Sequence, residues 1–132
     1  MSEYSSSREG FQRAMEWSLI GSPDDAKSYA TATSMPTFYH IMNGKRLDYD
    51  DYVKDIVEWR GKVSDYKPVV HEFLRDGDQL AARMTGTIKV SGTDTKFESF
   101  MFGKVDKGTG KMEWLVERSV WGPVGGPEHG VN

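Results

Sequence analysis

The 132 residues carry 17 basic and 20 acidic side chains, a formal net charge of −3 and no cysteine, which bounds the chain to one domain with one core. The charges are scattered, so the concentrated basic surface that a phosphate backbone requires is missing and nucleic acid is not expected as a partner. Without cysteine there is no disulfide, no thiolate nucleophile and no Cys-ligated metal.

The opening residues, Met1 to Arg8, hold no apolar core of signal-peptide type, and no run reaches membrane-spanning length. A cytoplasmic protein without a membrane partner is the expectation. Residues 7–20 place Phe11, Ala14, Met15, Ser18 and Leu19 at helical spacing, with Ser6 or Ser7 as N-cap and Gly21 as the stop. Ser22-Pro23-Asp24-Asp25 opens a second helix: a capping serine, proline in the first turn, and acids at the positive end of the dipole. Pro36 to Ile41 predicts a short strand, turned by Asn43-Gly44. A third helix is predicted from about Asp48 to Arg60, with Tyr49, Tyr52, Val53, Ile56 and Val57 on one stripe.

Pro68 marks the expected entry to a sheet, and from there the apolar period changes from 3.6 to 2. Asp76-Gly77 is a two-residue hairpin signal, and Ser91 to Asp94 and Asp106 to Gly110 are the next turns. Residues 1–122 are read as the domain and 123–132 as a Gly/Pro-rich mobile tail. Helices followed by an antiparallel sheet make the chain α+β, with three N-terminal helices on a curved antiparallel sheet. Four Trp, six Tyr, six Phe and seven Met suit a pocket for a flat or greasy ligand, although an ordinary core absorbs them equally well.

Alternation along these strands sorts the residues onto two faces. A hairpin centred on Asp76-Gly77 sets Val70 opposite Arg83, with Glu72 and Ala81 on that face and His71, Phe73 and Met84 on the other. Carried through the next two turns, one face collects Arg83, Thr85, Glu98, Phe100, Phe102, Leu115 and Glu117. The other collects Phe97, Met101, Trp114 and Val116 as well. Three short helices cover only one face. The Arg83 face is therefore expected to line a helix-roofed cavity, and the other to pack against a second copy in a homodimer.

The chain resembles the NTF2-like (cystatin-like) superfamily, in particular its SnoaL-like group of small polyketide cyclases. The resemblance spans about residues 8–121. It rests on the opening pair of helices, on Phe38-Tyr39-His40-Ile41-Met42-Asn43-Gly44, on the hairpin from Asp76 to Thr87, and on the strand from Gly110 to Glu117. Relatives include ketosteroid isomerase, scytalone dehydratase, limonene epoxide hydrolase and fungal isomerases, together with non-catalytic binding and transport modules. The resemblance implies a cone with an internal cavity, acid–base residues projecting from the sheet, and no cofactor. In the epoxide hydrolases an Arg and a carboxylate occupy positions like Arg83 and Glu117, with a polar residue where His40 falls. Those enzymes carry a second acid where this chain has Thr85, and ketosteroid isomerase has a helix tyrosine where this chain offers Met15 and Trp17.

Glu117 is the leading candidate for catalytic acid or base, because apolar walls raise a carboxyl pKa toward the range useful for proton transfer. Its ordinary alternative is an ion pair with Arg83 or Arg118. Arg83 either holds a developing negative charge or merely neutralises Glu117 or Glu98. His40 is a general acid/base by its intrinsic pKa, or a satisfied strand histidine. Phe100, Phe102, Leu115, Glu98, Thr85, Met15 and Trp17 are the expected substrate walls. Glu113 is assigned to the rim, His71 to packing or an interface, and His129 to the tail. Three scattered histidines give no metal constellation. Two readings stand: a cofactor-independent isomerase, cyclase or dehydratase acting on a small apolar natural-product intermediate, and a non-catalytic binding module.

Overall fold

The structure, a computed structural model, describes residues 3–125. His129 and residues 126–132 of the predicted tail lie outside the described residues. After a single turn at Glu3–Ser5 come α1 (Arg8–Leu19), a turn at Pro23–Asp25, α2 (Ala26–Thr33), β1 (Ser34–Met42), β2 (Lys45–Asp48), α3 (Tyr49–Lys62), β3 (Val63–Asp76), β4 (Gln79–Val90), β5 (Thr93–Val105) and β6 (Met112–Pro123). No helix among these is long and apolar enough to cross a membrane.

Helix α1 starts where Ser7, one of the two N-caps expected from sequence, accepts a hydrogen bond from the Gly10 amide at 3.0 Å. Its C-terminal end is held by Arg60 of α3, which is 5 % exposed. That guanidinium donates to the carbonyls of Ser18 at 3.2 Å, Ser22 at 2.9 Å, and Trp17. Carbonyls at a helix end lack intrahelical donors, and a cation there also meets the negative end of the dipole.

The six strands form one sheet in the order β2-β1-β6-β5-β4-β3. Two expectations are corrected here. Strand β1 pairs with β6 in parallel, so the sheet is mixed rather than antiparallel. The third helix follows the β1–β2 hairpin, so the helices are not three in a row. Strand β3 also begins at Val63, ahead of Pro68, which is tolerated inside it because β3 is an edge strand.

Turn chemistry explains the register. Asn43 and Gly44, at φ 50° and 88°, form the expected two-residue loop between Met42 and Lys45. Between β3 and β4 the loop is Gly77-Asp78, one residue later than predicted, with Asp76 opposite Gln79. Glu72 and Arg83 still share a face. A bulge at His71 then turns Val70 inward against Met84, where Val70 was expected beside Arg83. His71 itself is exposed and contacts the Thr85 hydroxyl at 2.6 Å, so it does not share the Phe73 and Met84 face. Ser91 and Gly92, both at positive φ, close the β4–β5 hairpin in two residues and keep Glu98, Phe100 and Phe102 on the Arg83 face.

The last hairpin closes as expected, Asp106 donating its amide to the Lys111 carbonyl at 2.8 Å. Val105 then pairs with Met112 but Lys104 with Trp114, so Glu113 is an extra residue on β6. One inserted residue turns every later side chain to the opposite face. Leu115, Glu117, Ser119 and Trp121 therefore alternate onto the face opposite Arg83, while Trp114 and Val116 join Arg83.

The core lies between the helices and the face of Phe38, Val70, Met84, Ile88, Phe97 and Met101, against Phe11, Ala14 and Met15 of α1, Tyr29 of α2 and Tyr52 and Ile56 of α3. The helix-covered face is thus the reverse of the expected one. Gly86 permits one close approach, since a Cβ there would stand 2.8 Å from the Phe97 ring and 2.6 Å from the Lys67 carbonyl.

Candidate active site

A cavity of about 410 Å³ lies between the helices and the inner sheet face, a volume ordinary for small-molecule sites. Most of its wall is apolar or aromatic: Met15, Leu19, Ile56, Met84, Phe97, Leu115, Trp59 and Trp121 among others. The ionisable side chains in the lining are His40, Asp55 and Glu117, with the phenols of Tyr29, Tyr52 and Tyr66.

His40 and Glu117 reach each other because β1 runs parallel to β6, with His40 beside Leu115 and Met42 beside Glu117. The His40 Nε2 lies 3.0 Å from Glu117 Oε1, and the two residues are 8 % and 7 % exposed. Ser119, two residues along the same face of β6, donates its hydroxyl to Glu117 Oε2 at 3.2 Å. Ser99, directly opposite Ser119 on β5, contacts that hydroxyl in turn. Asn43 fixes the end of this strand. Its backbone amide donates to the Glu117 carbonyl at 2.9 Å, and its side chain bonds both the amide and the carbonyl of Ser119.

The result is a carboxyl group whose two oxygens meet an imidazole and a donated hydroxyl in a largely apolar and aromatic surround. Such a pair can take a proton from, or return one to, a group placed against it. The His40 ring also meets Tyr52 edge-on, centroids 5.5 Å apart, which limits its rotation.

Asp55 enters the cavity from α3, where Tyr52, Asp55, Ile56 and Trp59 form the inward stripe. Burial pushes its carboxyl above the ordinary aspartate range, opposed in part by the nearby His40. Because the folded pKa is raised, the half-buried carboxylate costs nothing below the unfolded pKa and destabilises the fold as pH rises through the folded one. Asp55→Asn is therefore expected to melt at a higher temperature than the parent at pH 7, with the gap closing as pH falls toward about 4. A gap of equal size at both pH values would contradict that account; melting curves at the two pH values decide it. Burial likewise raises the phenols of Tyr29, Tyr52 and Tyr66, so all three stay protonated donors across the physiological range. The Tyr52 hydroxyl donates to that of Tyr29 at 3.5 Å.

Of the site residues expected from sequence, His40, Glu117, Leu115 and Met15 line the cavity. Arg83, Glu98, Thr85, Phe100 and Phe102 do not, because the extra residue at Glu113 parted them from Glu117. Arg83 instead bridges Glu72 at 2.9 Å and Glu98 at 2.8 Å on the outer face, and those carboxylates push its pKa further up. Glu117 thus pairs with neither Arg83 nor Arg118. Trp17 packs edge-on against Tyr29 and beside Tyr4, outside the lining. Glu113 is half-buried and faces Lys104 at 3.8 Å. Sequence reasoning missed Asp55, the three tyrosines and the two serines. The available signal was an acid on an apolar helix stripe, three residues after Tyr52 and four before Trp59. Among the described residues no group of three or more His, Asp or Glu side chains could hold a metal ion.

No family model and no curated protein matches the sequence. Solved structures match its shape. BvnE pinacolase from Penicillium brevicompactum superposes with a TM-score of 0.70 at 6 % identity, covering 89 % of this chain and 82 % of that one. An LEH-like epoxide hydrolase of M. tuberculosis gives 0.63 at 15 % identity, covering 82 % and 80 %. A de novo designed protein of the NTF2 fold gives 0.57 at 18 % identity, covering 85 % of each chain.

Proposed function

The chain has the NTF2-like fold, and we propose that it is a cofactor-independent enzyme moving protons on a small apolar natural-product intermediate, as an isomerase, cyclase or dehydratase. The observation that carries this reading is the buried His40–Glu117 pair in the wall of an apolar cavity. Likeness in shape to a pinacolase and an epoxide hydrolase supports it.

In this mechanism Glu117 and His40 together remove a proton from the substrate and return it elsewhere. Ser119 and Asn43 hold the carboxylate in place. Negative charge developing on a substrate oxygen meets phenol donors from Tyr29, Tyr52 or Tyr66, a task the outward-facing Arg83 cannot perform.

A nitrobenzisoxazole tests the reading without the natural substrate. A base takes the ring C–H proton, the N–O bond breaks, and a nitrile and a coloured nitrophenolate form. The parent is expected to accelerate this elimination over buffer, and Glu117→Gln to lose the acceleration. A parent no faster than buffer would argue for the second reading, a non-catalytic small-ligand module. That reading is favoured by one observation, that both Glu117 oxygens already have partners. It expects Glu117→Gln to alter affinity or stability and no rate.

A homodimer through the sheet belongs to the same proposal, now by the outer face. Phe100 and Phe102 are 48 % and 65 % exposed there, beside exposed Val69, Leu74 and Val120. An apolar patch of this kind on an open sheet calls for a partner. The parent is expected to elute as a dimer and Phe102→Glu as a folded monomer; a monomeric parent in light scattering would contradict this.

A further inference from the structure

The charge balance of the cavity is incomplete. Among the described residues its lining holds the carboxylates of Asp55 and Glu117 and the imidazole of His40, and no lysine or arginine. Glu117 is matched by His40 and Ser119. Asp55 forms no hydrogen bond or ion pair with any described residue. His40, Lys45 and Lys62 act on it only through space, and of these only His40, already bonded to Glu117, lines the cavity.

Beside Asp55 runs a band of stacked rings that crosses the cavity wall. Trp59 of α3 stacks on Trp121 of β6 at 6.0 Å and 25°. Trp121 stacks on Phe97 of β5 at 5.1 Å and 27°, and Phe97 on Tyr66 of β3 at 6.0 Å and 22°. All four line the cavity. Trp59 follows Asp55 by four residues on α3, so carboxylate and indole share one helix face. A carboxylate without a bonded partner, beside aromatic rings of which Trp59 already draws the Lys62 ammonium to 4.4 Å from its centroid, is an environment in which an organic cation is held. The rest of the band offers a flat, apolar bed for a planar body.

We propose that the ligand of this cavity carries a protonated amine on a flat apolar skeleton, with Asp55 as its counter-ion and the Trp59–Trp121–Phe97 rings as its bed. Calling that ligand the substrate rests on the enzyme reading above; the charge preference in binding does not.

Three probes of one shape isolate the charge: naphthylmethylamine, naphthylmethanol and naphthoate, titrated into the full chain at pH 7 by calorimetry. The amine is expected to bind about tenfold tighter than the alcohol, a typical size for a partly desolvated ion pair reinforced by a ring face, with naphthoate weakest. Asp55→Asn is expected to abolish the amine's advantage, and Asp55→Glu to restore part of it. An alcohol that binds the parent as tightly as the amine overturns the proposal, as does an amine preference that survives Asp55→Asn or failure of the amine to bind. Because nitrobenzisoxazole is neutral, its turnover reports on Glu117 independently. A parent with no amine preference but with turnover rejects the amine ligand alone, whereas a parent with the preference but no turnover rejects the enzyme reading alone.

Discussion

Glu117→Gln is expected to fold like the parent and to turn over nitrobenzisoxazole about 10²- to 10⁴-fold more slowly, the usual contribution of a positioned acid–base group. The fold should tolerate the change because glutamine keeps the shape and one acceptor. Its carbonyl can still accept from the Ser119 hydroxyl. Its amide can donate to the His40 Nε2, 3.0 Å from the present carboxylate, once the imidazole takes the other tautomer. What disappears is the proton acceptor and the charge that favours an imidazolium beside it. Stopped assays on variants matched for melting temperature measure the effect; full activity would remove Glu117 from the mechanism.

The largest effect on stability is expected at Arg60. Replacing it by methionine keeps most of the side-chain volume but strips donors from the carbonyls of Trp17, Ser18 and Ser22. Charge-assisted hydrogen bonds and unsatisfied carbonyls at this level of burial put the loss at about 3 kcal/mol, or roughly 10 °C in Tm. Ser18 and Leu19 line the cavity, so loosening the end of α1 should also weaken ligand binding. Arg60→Lys should recover only part of the loss, since an ammonium is a point donor without the guanidinium's planar fork. Thermal melts of the two variants measure this, and a Met variant as stable as the parent would show that solvent replaces the guanidinium at those carbonyls.

How far the sequence could be read follows from where the information is local. The Asn43-Gly44 loop was legible because a two-residue hairpin needs positive φ at both positions, and asparagine and glycine supply it at little steric cost. Ser7 was legible as a cap for a similarly local reason. The faces of β4, β5 and the Glu72 to Asp76 end of β3 followed from turn spacing, and an error of one residue in the loop at Gly77 left their parity unchanged, whereas the bulge at His71 inverted Val70 and His71. The bulge at Glu113 had no such marker. No glycine sits at the extra residue, and nothing in Met112-Glu113-Trp114 distinguishes a bulged strand from a regular one. That single residue carried Glu117 away from Arg83 and inverted the cavity assignment. His40 and Glu117 were each singled out by type, but their pairing depends on the parallel contact of β1 with β6, which leaves no periodicity to detect. Asp55 was hidden by treating Val57 as part of the inward stripe; Val57 is exposed, and the stripe turns through Asp55 and Trp59 instead.

The central claim is that His40 and Glu117 act as one proton-transfer unit, and a double-variant cycle in the elimination assay tests it most directly. His40→Gln, Glu117→Gln and the combined variant are compared with the parent at a single pH. Groups that act together are strongly non-additive, so the double variant is expected to be no slower than the slower single one. Losses that multiply in the double variant would contradict the claim and make the two residues independent contributors.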